Sequence, residues 1–393
     1  MEAVDFMKKI LFISIIILVG ISCEKKPFPS IDIIKITPIS WKKKESCKVI
    51  YNADGNDVEM PAEVKFRGGL SARYKKNSLT LELDKKYEFF DFPKDDDWIL
   101  NASYIDKTFM RHKINYDLFM AMNPEKNIAA RSSYINVSIN NEYNGLYIFT
   151  EEINGKRVDL NKKDTLAMLF KDPLFLYTED RVPQEADNYH QQKFPKIRDR
   201  DQTYYIEEFR SFLFDSSDEE FDQNIDKWVD LENIIDWHLL LLYSNNGDGI
   251  MKNFYLYKKD AYTPFRIAIW DYDHSFGRDG DGELNMMERP LRWKRSILFV
   301  RLMESKNLAY RDKMKQRWKE LREKGLFSAS YMKKEMSSID KLIREEVERN
   351  FQKWPSKGYW YYDDNDYEAE KAIIEKFVEL RLAQLDIEFD YDS

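Results

Sequence analysis

The sequence predicts an α+β protein with a sheet-rich first half and a larger, mainly helical second half. Three observations carry that prediction. Residues 32–100 hold short runs of alternating apolar and polar residues bounded by Gly, Asn and Asp, the period of half-buried strands. From about residue 296 onward, apolar residues recur at helical spacing over long stretches. Between these regions a short apolar hairpin carries acidic residues at both ends, GDGIMKNFYLYKK and FRIAIWDYDHSFG.

Each element follows from its pattern. IDIIKI, CKVIY, EVKFRG and LTLEL read as strands. Residues 106–122 read as a helix, with Met110, Ile114 and Leu118 on one face and Asn123-Pro124 as the stop. YINVSIN and GLYIFTEEI form a hairpin across residues 140–144, so one helix packs on the first sheet. Residues 165–215 are irregular: KFPKIRDRDQ is an exposed loop and IEEFRSFLF a helix. DLENIIDWHLLLLY is a buried helix leading to NNGDGIMKN. NFYLYKK and FRIAIWD pair across DAYTP, and amphipathic helices follow at 296–324, 328–351 and 367–387. No internal repeat is visible. The plan is a sheet-rich half over 32–160 and a helical half over 161–393, a two-lobed arrangement of the kind that places ligands in the intervening cleft.

The N-terminus adds a location. Lys8 and Lys9 precede an apolar run at residues 10–21, then Ser22 and Cys23. Basic residues, a run too short to span a bilayer comfortably and small residues before a cleavage point make an export signal over residues 1–23. Ending at cysteine predicts a lipoprotein, acylated at Cys23 and held to a membrane, with residues 24–31 as tether. Cys47 is the only other cysteine, so neither a disulfide framework nor a cysteine zinc site is available. Hydrophobic residues are 43% of the chain and net charge is −8, which fits a full core. No basic run is interleaved with aromatics, which argues against a nucleic-acid partner.

The acidic hairpin ends carry the candidate chemistry. Asp248 sits between glycines and Asn253 lies five residues on. Asp271 and Asp273 end the next strand. An Asp, an Asn five residues later and a further Asp is the spacing by which protein kinases place a proton acceptor and two Mg²⁺ ligands. Carboxylate and amide oxygens are what that hard cation prefers. By itself the spacing is common, and the same residues serve as ordinary turns. A calcium loop starting at Asp271 fails, because Phe276 and Gly282 stand where Gly and Glu are required. DGDGE at 279–283 reads as a solvated turn. The histidines at 112, 190, 238 and 274 read as structural.

Several stretches taken together resemble one family. FRGGLSARYKKNSLTLEL, DWILNASYIDKTFMRHKINYDL, YINVSINNEYNGLYIFTEEI, KNFYLYKKD, FRIAIWDYDHSFG and RSILFVRLMESKNLAYRDKMKQRWKELR occur in order over roughly residues 60–325. They resemble the CotH proteins, atypical kinases similar to spore coat protein H. The resemblance implies a two-lobed kinase-like fold. It also implies transfer of phosphate from ATP, with Mg²⁺ or Mn²⁺, to Ser or Thr of a protein substrate. On that resemblance Asp248 is the catalytic Asp and Asp271 holds the metal with Asn253 beside it, while Asp273 is either a second metal ligand or a group just behind the ligands. Arg67, Arg73, Lys75 and Lys76 surround two glycines and are expected to face the phosphates. The family usually has two lysines directly before Ser78. Here Asn77 takes the second place, and Lys76 is preferred, with Glu151 orienting it. Arg111 matches a family arginine that bridges helix and cleft, or else forms a buried structural ion pair. A different class of reading stays open, because ATP is scarce outside the cytoplasmic membrane. It is an inactive surface protein that binds or adheres, with WPSKGYWYYDDNDY at 354–367 as a sugar-stacking loop or as packing for the last helix.

Overall fold

The alternating strands of the first half roll into a closed barrel. The computed structural model describes residues 27–173, 176–178, 190–278, 287, 289–358 and 363–392. Strands β1 (Ser30–Ile34), β2 (Glu45–Asn52), β3 (Asp57–Arg67), β4 (Ser78–Tyr87) and β5 (Asp95–Asn101) follow one another antiparallel. After helix α1 (Arg111–Met122) and the short β6 (Ile128–Ala129) come β7 (Ser132–Ile139) and β8 (Glu142–Glu151). The barrel order is β1-β2-β3-β4-β5-β8-β7, and β1 closes it by pairing in parallel with β7. Alternate residues fill the interior, among them Val64, Leu79, Leu81, Trp98, Leu100 and Phe149. Ser30 already lies in the first strand, and Phe28 packs against the larger core.

The second half builds on another sheet. Strands β9 (Met168–Lys171) and β10 (Gln192–Phe194) precede helices α2 (Thr203–Asp215), α3 (Asp218–Trp228) and α4 (Leu231–Ser244). The predicted hairpin is β11 (Phe254–Lys258) and β12 (Arg266–Ile269). The sheet order is β10-β9-β11-β12-β6. Helices α5 (Ile297–Glu304), α6 (Tyr310–Glu323), α7 (Ala329–Lys353) and α8 (Tyr367–Glu388) complete the chain.

The differences from the sequence reading have local causes. The helix expected from residue 106 starts at Arg111, because the Asp106 carboxylate accepts from the N–H groups of Thr108 and Arg111 and holds a turn there. The single helix expected over 296–324 is two, separated where Ala309 takes φ +49°. Residues 168–171, read as irregular, form β9 because β11 offers them an antiparallel partner. Helix α1 does not rest on the barrel core, which its own side chains fill. Ile114, Leu118 and Phe119 instead join the larger core, which the outward barrel residues Ile99, Tyr134, Leu146 and Ile148 share with the second sheet and the helices. The whole is an α+β protein of a seven-stranded barrel and a helix-flanked five-stranded sheet.

Candidate functional site

One cleft of about 560 Å³ gathers Arg67, Lys76, Asp271 and Asp273. Its first wall is the outer face of the barrel. Residues that alternate with the barrel core point into it: Lys65 and Arg67 on β3, Ser78 and Thr80 on β4, Asp97 and Asn101 on β5. Gly68, at φ +131°, turns the chain off β3; a Cβ there would fall 2.1 Å from Ser71 Oγ. The opposite wall is the end of β12, carrying Trp270, Asp271 and Asp273. Lys171 from β9 and Glu152 past the end of β8 also line it. The Arg67 guanidinium lies 5.4 Å from the centre of the Trp270 ring.

The carboxylates are held by α1. Residues 112 and 116, one turn apart, face the segment after β12. Tyr116 Oη accepts from the Asp271 N–H at 2.9 Å, and His112 Nδ1 accepts from the Tyr272 N–H at 3.1 Å. That second bond leaves the proton of a neutral His112 on Nε2, which lies 3.8 Å from Asp271 Oδ1. Asp271 takes φ +60° and Asn253 φ +64°, both left-handed. Asn253 Nδ2 donates to the Asp271 carbonyl at 3.1 Å, so two strained residues brace each other. Arg111 ties the same region to the rest of the fold. It is fully buried, paired with Asp106 at 2.6 Å and Glu370 at 3.4 Å, and its Nε donates to the Ser275 carbonyl at 2.9 Å. It thus bridges helix and cleft and is a buried ion pair at once.

The donor set fits a hard divalent cation. One carboxylate oxygen each from Asp271 and Asp273 lie within 4.8 Å of one another, and His112, whose Nε2–H faces Asp271, stands beside them. Burial, and then the charge of Asp271, push the Asp273 carboxyl above the usual carboxylate range. A cation between the two carboxylates would relieve that repulsion. The Asn253 amide, whose nitrogen is committed to Asp271, has its oxygen as the remaining ligand atom.

Asp248 occupies an adjoining recess of about 90 Å³ with Asn245, His274, Arg289, Arg292 and Arg295. Its carboxylate pairs with Lys252 at 2.9 Å. Burial opposes the Lys252 charge, but Asp248 and Asp271 together hold its ammonium above the ordinary lysine value. Lys252 thus lies in the field of both. His274 connects the recess to the cleft, with Nε2 3.8 Å from Asp273 Oδ1.

The basic residues fall differently from the expectation. Lys76 lines the cleft but is buried. Its Nζ donates to the carbonyls of Ala102 at 2.8 Å and of Leu146, and faces the rings of Phe109 and Tyr147. Burial pushes its pKa well below the ordinary lysine value. Glu151 does not pair with it; strand alternation turns Glu151 away from the cleft, onto Arg131 at 2.9 Å and Arg157 at 2.8 Å. The next residue, Glu152, faces the cleft instead, with its carboxyl raised by burial and lowered in turn by Arg67. Arg73 and Lys75 are exposed and do not line the cleft. Sequence reasoning missed Lys65, although it sits two residues from Arg67 on the same strand face. It also missed Lys171, on a strand read as loop, and His112, which no metal motif marks. Cys23 and the DGDGE turn lie outside the described residues, as do residues 359–362 of the aromatic loop. Among the described residues no helix is long and apolar enough to cross a membrane.

A barrel wall of cations facing a strand end of carboxylates defines the class: an α+β protein built around a cleft that can take a metal and an anionic ligand. The family model described as CotH kinase protein matches residues 64–385, and the chain belongs to that family. Among curated proteins it is similar to the inner spore coat protein H of Bacillus subtilis (strain 168). The two are 22% identical over 295 residues, which are 74% of this chain and 78% of that protein.

Proposed function

We propose that the protein transfers phosphate from ATP, with Mg²⁺ or Mn²⁺, to a Ser or Thr hydroxyl of a protein substrate, in a two-lobed, kinase-like arrangement. The observation that carries this reading is the single cleft in which Arg67, Lys65 and Lys171 oppose Asp271 and Asp273, with Asp248 in the adjoining recess. Its volume lies within the roughly 300–1,000 Å³ typical of small-molecule sites. Asp271 and Asp273, with the Asn253 amide oxygen, would hold the metal, which when bound supplies charge neutralisation on the phosphates. Arg67, Lys65 and Lys171 bind the phosphate oxygens, and the base packs against Trp41 and Tyr104, rings that line the cleft and stack on Phe66 and Tyr74 with their other faces. Asp248 orients the acceptor hydroxyl and takes its proton, while Lys252 fixes the carboxylate. This division suits a reaction limited by positioning and electrostatics.

Lys76 supports a second reading. A lysine whose Nζ is already bound to two carbonyls is not poised for a phosphate. A cleft that binds nucleotide without transfer would be the mark of a binding protein. Purified protein incubated with labelled ATP and Mg²⁺ or Mn²⁺ decides between them. Label on the protein or on a serine-rich peptide supports the kinase. Calorimetric ATP binding without label supports the binding protein, and neither result leaves the cleft without its nucleotide.

The export signal and the lipid on Cys23 belong to the same proposal. They would hold the enzyme outside the cytoplasm on a lipid anchor, in the periplasm or at the cell surface, tethered by the residues before Ser30.

A further inference from the structure

The loop beside Asp248 is basic where nothing in the nucleotide cleft needs it to be. Arg292, Lys294 and Arg295 are exposed, and none lines the larger cleft. Arg292 and Arg295 instead border the small recess that holds Asp248 and His274. None of the three has a carboxylate partner among the described residues.

The backbone under these side chains is fixed. Leu291 is buried. The Arg289 carbonyl accepts from Asn245 Nδ2 at 2.9 Å and Arg381 Nη2 at 3.2 Å. The Arg295 carbonyl accepts from the Thr178 N–H at 3.0 Å, and Ser296 caps α5. Trp293 packs against His238 at 6.3 Å between ring centres. A fixed turn that carries three exposed cations, two of them bordering the recess that holds the proposed proton acceptor, is arranged for an anionic partner on the acceptor side.

We infer that Arg292, Lys294 and Arg295 form a docking surface for an acidic polypeptide segment, whose Asp or Glu side chains flank the hydroxyl delivered to Asp248. The inference rests on the phosphoryl-transfer reading and names the substrate class of that site.

The test uses the full chain and three fluorescent peptides, each with one serine, flanked by Glu, by Lys or by Ala. The Glu-flanked peptide should exceed the Lys-flanked one in kcat/KM by about tenfold, the size expected from a few partly exposed ion pairs. The gap should narrow at high salt. The double variant Arg292→Glu/Arg295→Glu should invert the order, with its thermal melt unchanged because both side chains are exposed. Equal rates, a preference for Lys in the unaltered protein, or an unchanged preference in the variant would overturn the inference. If no peptide is phosphorylated, the transfer reading fails on its own, and peptide binding by fluorescence anisotropy still decides. Tighter binding of the Glu peptide that the double variant abolishes upholds the docking surface; equal binding removes it.

Discussion

Asp248 and Asp271 are both aspartates at the ends of short apolar elements, yet their surroundings set them different tasks. Asp248 is paired with a lysine at the edge of a recess; Asp271 is braced by Asn253, Tyr116 and His112 beside a second carboxylate. Asp248→Asn should abolish transfer while Mg²⁺–ATP still binds in calorimetry. Asp271→Asn should lose metal-dependent nucleotide binding altogether. If both aspartates only shape turns, each change costs about 0.5–2 kcal/mol in a melt and leaves turnover intact. Lys76 makes a prediction about pH. Its folded pKa is lowered by burial, so between that value and the ordinary lysine value the unfolded chain binds one more proton than the folded one. Stability should therefore climb as pH rises through this window. Lys76→Met should flatten the climb in urea titrations run from neutral to alkaline pH. An unchanged slope would mean that the carbonyls and ring faces keep the ammonium charged.

At the scale of elements, α1 is the part that makes the site. Its apolar face and its end before Asn123 are legible in the sequence, but its start and its partners are not. His112 and Tyr116 look like ordinary core residues until the fold sets them against the segment after β12. Tyr116→Phe removes the acceptor for the Asp271 N–H and should cost about 1–2 kcal/mol of stability. It should also weaken metal-dependent ATP binding more than metal-free binding, which a purely structural phenol would not do. The hairpin of β11 and β12 and the buried helix α4 were readable because their patterns are continuous and their caps are local, as with Asp230 at the start of α4. Strand β9 was not, because four residues carry too little pattern and depend on β11 for their hydrogen bonds. Glu151 misses Lys76 for a simpler reason: one residue along a strand is the opposite face, and Glu151 lies on the face that holds Arg131 and Arg157.

At the scale of the whole molecule, periodicity showed sheet followed by helices. Closure of the sheet into a barrel rests on the parallel pairing of β1 with β7, a contact between residues about a hundred positions apart that no local pattern announces. The carboxylate half of the cleft was visible as the acidic strand end WDYD. The cationic half was less so, since outward strand lysines look alike whether they face solvent or a ligand. The location of the molecule is testable at this scale too. Cys23→Ala should shift the protein from the membrane fraction to the soluble fraction or leave the signal uncleaved. Unaltered membrane attachment would remove the lipid from the proposal.

The closing strand has a mechanical meaning. β1 is the element nearest the proposed tether, and it is hydrogen-bonded along both edges, to β2 on one side and β7 on the other. A pull along the strand from the residues before Ser30 would load both ladders together in shear, so their bonds share the force instead of parting one after another. The strands that form the cleft wall, β3 to β5, are not the ones that take this load first. A tug at the anchor would strain the seam of the barrel while the arrangement of Arg67 opposite Asp271 stays undisturbed.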